Sequence, residues 1–142
     1  MKIQITENID KAIENYTIIP ILYGKIDLSL TPNNSVTHII AIDALDSIPS
    51  SLLAEFVSNI VQKMRLGCQI IIGGTELDAI SKDVISHVIS TQDYNELIFN
   101  KRGIYRSEDI IRLLNQAGLT INSTQIRGYK YELTASRPYP KN

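Results

Sequence analysis

Groups able to do chemistry are few in this sequence and loosely spaced. Gly73-Gly74-Thr75-Glu76 follows an apolar run and precedes a helical pattern. A glycine turn in that place can present backbone N–H groups to an anion. Neither G-x-x-x-x-G-K-S/T nor G-x-G-x-x-G is present, so both nucleotide fingerprints are missing and a structural turn is the favoured reading. Asp43 and Asp46 fall just past a strand-like run. Open α/β sheets bind ligands there, and a carboxylate can orient a substrate or take a proton. With no partner residue recognisable beside them, loop solvation or helix capping is the simpler role. Lys101, Arg102, Tyr105 and Arg106 make a basic, aromatic cluster suited to an acidic group or a partner surface, against the ordinary reading of a solvated loop.

The remaining reactive types read as structural. His38 lies inside an apolar run and reads as a core or edge histidine. His87 has no second ligand at i+4 and reads as surface. Cys68 is embedded in a buried-strand pattern and behaves as a small hydrophobe. Two His and one Cys cannot build the usual zinc sites. There is no G-x-S-x-G, which excludes a hydrolase elbow. Tyr129 and Tyr131 suit sheet packing better than base stacking.

The elements that must position these residues follow from periodicity. Lys2-Ile3-Gln4-Ile5-Thr6 alternates as a short strand, and Asn8 to Tyr16 predicts about two helical turns with Ile9, Ala12, Ile13 and Tyr16 on one face. Ile18 to Tyr23 is strand-like, with Pro20 marking an edge or a strand start. Val36 to Ile42 is a strand buried on both faces. Asp43 to Pro49 is a loop. Ser51 to Leu66 is a helix with Leu52, Phe56, Ile60 and Met64 on its stripe, capped by Ser50 or Ser51 and closed by Gly67. Cys68 to Ile72 is a second buried strand, ended by Gly73-Gly74. Strand, helix, strand with short joints implies parallel strands and a right-handed crossover. Asp78 to Ile89 and Gln92 to Phe99 are weaker helices. Ser107 caps a helix to Ala117, ended by Gly118. Leu119 to Ile126, an Arg127-Gly128 turn and Tyr129 to Ser136 make an antiparallel hairpin, and residues 137–142 form a tail. The fold class is α/β, a three-layer Rossmann-like, mostly parallel sheet with helices on both faces and a C-terminal antiparallel hairpin.

Composition bounds the function classes. The 142 residues make one domain, 1–142. With 14 Lys plus Arg against 15 Asp plus Glu, the net charge of −1 offers no global field for nucleic acid or an anionic membrane. One Cys allows no internal disulfide, so a cytoplasmic, reducing context is expected. No apolar run approaches the roughly 20 residues of a membrane helix, and no secretory h-region follows Met1.

Residues 34–49 (NSVTHIIAIDALDSIP) resemble the fourth strand and following loop of class I S-adenosylmethionine-dependent methyltransferases. Residues 64–72 (MRLGCQIII) are similar to that family's entry to strand five, and residues 108–121 (EDIIRLLNQAGLTI) to its passage from helix to strand six. The terminal hairpin matches its antiparallel strand seven. The resemblance covers roughly the last three quarters of the chain. It implies a Rossmann-like methyltransferase fold and S-adenosylmethionine as the cofactor of a complete member. The family's acidic-His pair falls on Asp46-Ser47, and its adenine-contacting Gly-Asp on Gly24-Lys25, where a lysine cannot accept the hydrogen bond of the adenine amino group. The glycine-rich first loop is absent, as is a clear acid for the ribose hydroxyls. Between Met1 and Val36 there is room for a strand, a short helix and another strand, so the fold is expected truncated at its N-terminal end.

Two functions follow as expectations. One is a degenerate methyltransferase-like domain with no cofactor of its own, serving as a scaffold, partner or regulatory subunit in a homo-oligomer or beside a related chain. The other is a minimal methyltransferase acting on a small molecule or sugar, with Asp27, Asp43, Asp46, Gly73 and Gly74 holding S-adenosylmethionine and substrate. Lys101, Arg102, Tyr105 and Arg106 would face the substrate or partner in either case.

Overall fold

The computed structural model describes residues 1–140; Lys141 and Asn142, the end of the expected tail, lie outside the described residues. Six strands form one sheet: β1 (Lys2–Thr6), β2 (Thr17–Pro20), β3 (Val36–Ala41), β4 (Met64–Thr75), β5 (Thr120–Arg127) and β6 (Lys130–Ser136). Their order is β2-β1-β3-β4-β6-β5. The first four run parallel, and β6 pairs antiparallel with both β4 and β5. The parallel-sheet and terminal-hairpin expectations hold.

The register explains the core. Ile3, Ile39, Ile70, Ala135 and Ile121 are direct neighbours across five strands. They share the face covered by α1 (Ser50–Lys63) and α4 (Ser107–Gln116), which contribute Phe56, Val57 and Ile60, and Ile110 and Leu114. The opposite face carries the row Ile18, Gln4, Ile40, Ile71, Thr134 and Ser123. That row is half polar, and α3 (Thr91–Ile98) lies near its carboxyl end, across a cavity from Gln4 and Ile40.

Several boundaries depart from the sequence expectations. Residues 8–16 make no two-turn helix, only a 3-10 turn at Ile9–Lys11. The Gln4 side chain competes for the backbone there: its amide donates to the Lys11 carbonyl (2.9 Å) and accepts from the Ile13 N–H (2.8 Å). Asp43–Pro49 contains a 3-10 turn at Ala44–Ser47, entered through Asp43 at φ 59°. Pro49, not a serine, occupies the N-cap of α1, and Arg106 rather than Ser107 that of α4. Helix α1 runs directly into β4 at Met64, so Gly67 (φ 82°) is not its closing residue. It lies within β4, where its N–H donates to the Arg137 carbonyl and the Tyr139 ring covers it. Gly73 and Gly74 do not end β4. They are ladder residues opposite Glu132 and Tyr131, and the strand continues to Thr75. Helix α2 (Leu77–Ile85) stops early because Ser86 bonds back to the Lys82 carbonyl and His87 takes φ 61°.

Candidate functional site

A cavity of about 560 Å³ opens at the carboxyl ends of β1 and β3, within the ordinary size of a small-ligand site. Thr6, Glu7, Ile42, Asp43, Lys101 and Lys130 line it, with α3 as the far wall. Parallel strands and their short connections bring these groups together at one end of the sheet, where open α/β folds place ligands.

The carboxylates of that wall are mostly engaged. Asp46, nearly buried, accepts from the Thr75 N–H (2.7 Å), the Thr75 hydroxyl (3.1 Å) and Lys101 Nζ (3.1 Å). Its own carbonyl accepts from Arg102 N–H (2.7 Å). With both carboxylate oxygens so occupied, Asp46 fixes the 99–106 loop to the sheet instead of offering a base. Glu7 accepts from the Ser47 hydroxyl. Asp43 pairs with Lys130 at 3.1 Å, both half-exposed, while Glu96 on the far wall is exposed. Asp27 stands apart. It is exposed, accepts from the Ser29 N–H (2.9 Å), and those Ser29 bonds hold its carboxyl below the usual range.

The glycines act through close approach. A Cβ on Gly73 would meet the Tyr131 carbonyl oxygen at 2.3 Å, and one on Gly74 would meet Asp46 Oδ1 at 3.1 Å. The pair therefore lets the 44–47 turn and β6 dock on β4; it is not an open anion turn. The basic cluster also divides. Lys101 turns inward to Asp46, and the Tyr105 hydroxyl donates to the Ile48 carbonyl. Arg106 pairs with Asp78 at 3.0 Å in solvent, and the Arg102 side chain is exposed. His38 is an exposed strand residue, His87 a surface residue, and Cys68 is buried, its thiol pushed up to about 11 chiefly by that burial.

Sequence reading missed Gln4 and Glu7, took Glu76 only as part of a turn, and took Tyr131 only as sheet packing. Glu76 is buried and caps α2 by accepting from the Asp78 N–H (2.9 Å); its other oxygen accepts from Ser107 N–H (3.4 Å) at the head of α4. Tyr131 is buried with its hydroxyl lacking a partner among the described residues. Burial raises its pKa, and Asp46, Glu76 and Tyr105 raise it further. The legible signal for Glu76 was its place two residues before Asp78 at a helix start; Tyr131 offered none beyond alternation.

No family model matches the sequence, and no curated protein matches it. Solved structures do. A chain of the complex between the Haloferax volcanii Trm112 methyltransferase activator and a methyltransferase superposes with TM-score 0.62 at 8% identity, over 92% of this chain and 65% of that one. An O-methyltransferase family protein from Burkholderia thailandensis gives 0.63 at 13%, over 89% and 37%. An S-adenosylmethionine-dependent methyltransferase from Archaeoglobus fulgidus gives 0.60 at 11%, over 93% and 74%. The chain thus spans less than two thirds of the first two of these. Such identities speak for architecture, and with the sheet order above they make the conclusion plain: the chain has a class I methyltransferase-like, Rossmann-like fold.

Proposed function

We propose that the chain is a methyltransferase-like domain without autonomous cofactor binding, acting as scaffold, partner or regulatory subunit in an assembly with its own copy or a related chain. The observation that carries this reading is the turn after β1. Residues 7–16 contain no glycine. The side chains of Gln4 and Glu7 hold that turn against the sheet, through Lys11, Ile13 and Ser47. A backbone free of side chains is what close approach of a nucleoside requires. The first acid after β2 is Asp27, exposed and bonded within its own loop. These residues do not fit S-adenosylmethionine.

Unsatisfied surface supports the assembly. Strand β5 is an eight-residue edge, exposed along nearly its whole length, whereas the β2 edge is four residues ending in Pro20. Ile85, Val88 and Phe99 stand mostly exposed around α2 and α3. A structural neighbour is itself described in complex with an activator chain. The test joins light scattering at micromolar concentration to calorimetric titration with S-adenosylmethionine and S-adenosylhomocysteine. A species larger than one chain and no heat are expected; a clean monomer overturns the reading.

The cavity at the β1 and β3 ends favours a second reading, a minimal S-adenosylmethionine-dependent methyltransferase acting on a small molecule or sugar, with Asp43 as a half-exposed carboxylate in its wall. Binding with Kd below about 100 μM, about −5.5 kcal/mol, would select it.

A further inference from the structure

At the opposite end of the sheet, where β3 and β4 begin, a second cavity of about 840 Å³ is lined by Arg65, Arg137, His38, Leu66 and Tyr139, with no Asp or Glu in its wall among the described residues. In a chain with one more acid than base, that is a local reversal of charge. Arg137 is held in place. Its Nη1 donates to Asn34 Oδ1 (2.7 Å) and to the Met64 carbonyl, both neutral acceptors. A guanidinium has five N–H donors, so three remain for a ligand. Among the described residues neither Arg137 nor Arg65 pairs with a carboxylate. The Met64 carbonyl closes α1, whose C-terminal partial charge of about −0.5 offsets only part of one guanidinium.

The apolar wall narrows the ligand. The Tyr139 ring lies over Gly67, where only a residue without a side chain leaves it room: a Cβ there would meet Tyr139 Oη at 2.7 Å. Tyr139 remains largely exposed, and Leu66 partly so, beside the arginines. The positive charges of the amino terminus and of Arg137 pull against the burial that raises the Cys68 thiol. Cations with an open aromatic face recognise a phosphate joined to an organic ring.

We propose that this cavity at the amino ends of β3 and β4 binds a small phosphate monoester, its phosphate on Arg65 and Arg137 and its organic part against Tyr139. The site is separate from the carboxyl-end cavity. S-adenosylmethionine carries no phosphate, so this proposal and the reading above fail independently.

The test is calorimetric and NMR titration of the whole chain with adenosine 5′-monophosphate, adenosine and inorganic phosphate, at matched low ionic strength. Adenosine monophosphate is expected to saturate with Kd below about 1 mM, moving the amide signals of Gly67 and Cys68. Phosphate alone is expected to bind more weakly, and adenosine not at all. Arg65→Gln, at an exposed position, should weaken binding about tenfold, as charge-assisted bonds do; Arg137→Gln should do the same if it folds. Lys82→Gln on α2 should change nothing. Adenosine binding as well as its phosphate, a wild-type affinity in Arg65→Gln, or saturation only by a single-stranded oligonucleotide would each overturn the proposal.

Discussion

The two ends of the sheet treat charge in opposite ways. At the carboxyl end, Asp46 is joined to Lys101, Asp43 to Lys130 and Glu7 to Ser47, so the place where this fold usually holds ligands is largely self-satisfied. At the amino end, Arg65 and Arg137 face a cavity with no carboxylate in its wall among the described residues. Charges that answer one another stabilise the fold; charges left open are available to something else. The difference teaches that a fold's customary site and a chain's available chemistry can lie at opposite poles.

The comparison breaks most sharply at Asp46. Asp46→Ala would strand Lys101 and leave the Thr75 N–H and hydroxyl without their acceptor. Removing one member of a buried pair typically costs about 3–5 kcal/mol. Urea denaturation should show that loss, with the 99–106 loop gaining hydrogen exchange. A loss below 1 kcal/mol would mean that the carboxyl end is not held by this residue. Next in size is Gly73→Ala. Its Cβ would collide with the Tyr131 carbonyl, a backbone atom that cannot step aside, and overpacking of this kind costs about 1–3 kcal/mol. The same denaturation series reads it.

Alkaline titration gives a smaller effect with a defined sign. Burial raises the Cys68 thiol from 9.0 to about 11. The unfolded chain therefore releases that proton first, and the stability it represents is complete below about 9 and lost as pH rises toward 11. Cys68→Ala should flatten the fall across that window. Tyr131, raised chiefly by burial, adds a further loss at higher pH that the Cys68 variant leaves in place. Unchanged alkaline profiles in Cys68→Ala would show the thiol to be accessible in the folded chain.

Much of this fold was legible from periodicity. The unit β3, α1, β4 declared itself because its apolar residues repeat at strand and helix spacings, and those repeats are local. The helix caps were not legible, because Pro49 and Arg106 took cap positions that serines beside them fit by type. Residues 8–16 misled because their helical spacing is outweighed by one side chain, Gln4, that arrives from β1. Gly73-Gly74 read as a turn because its reason lies elsewhere, in Tyr131 across the ladder and Asp46 above it. The amino-end cavity was invisible for the same cause. Arg65 and Arg137 are far apart in sequence and share a cavity wall where Gly67 donates to the Arg137 carbonyl and Arg137 to that of Cys68.

The smallest effects set the two ends side by side. Lys130→Ala removes a half-exposed partner of Asp43, and such pairs contribute about 0.2–1 kcal/mol. Arg65→Ala removes an exposed cation with no carboxylate partner among the described residues, beside Arg137 in the same wall. It should leave stability within about 0.5 kcal/mol, shifted upward by relief of like-charge repulsion. Salt separates these causes. Raising ionic strength from 0.1 to 1 M shortens the screening length from about 10 to about 3 Å, so both small differences should shrink together, in opposite directions. A loss above about 1 kcal/mol in Arg65→Ala, well outside the range of exposed substitutions, would mean that this arginine already has an internal partner. The amino end would then be as self-satisfied as the carboxyl end, and its cavity would have no charge to offer a ligand.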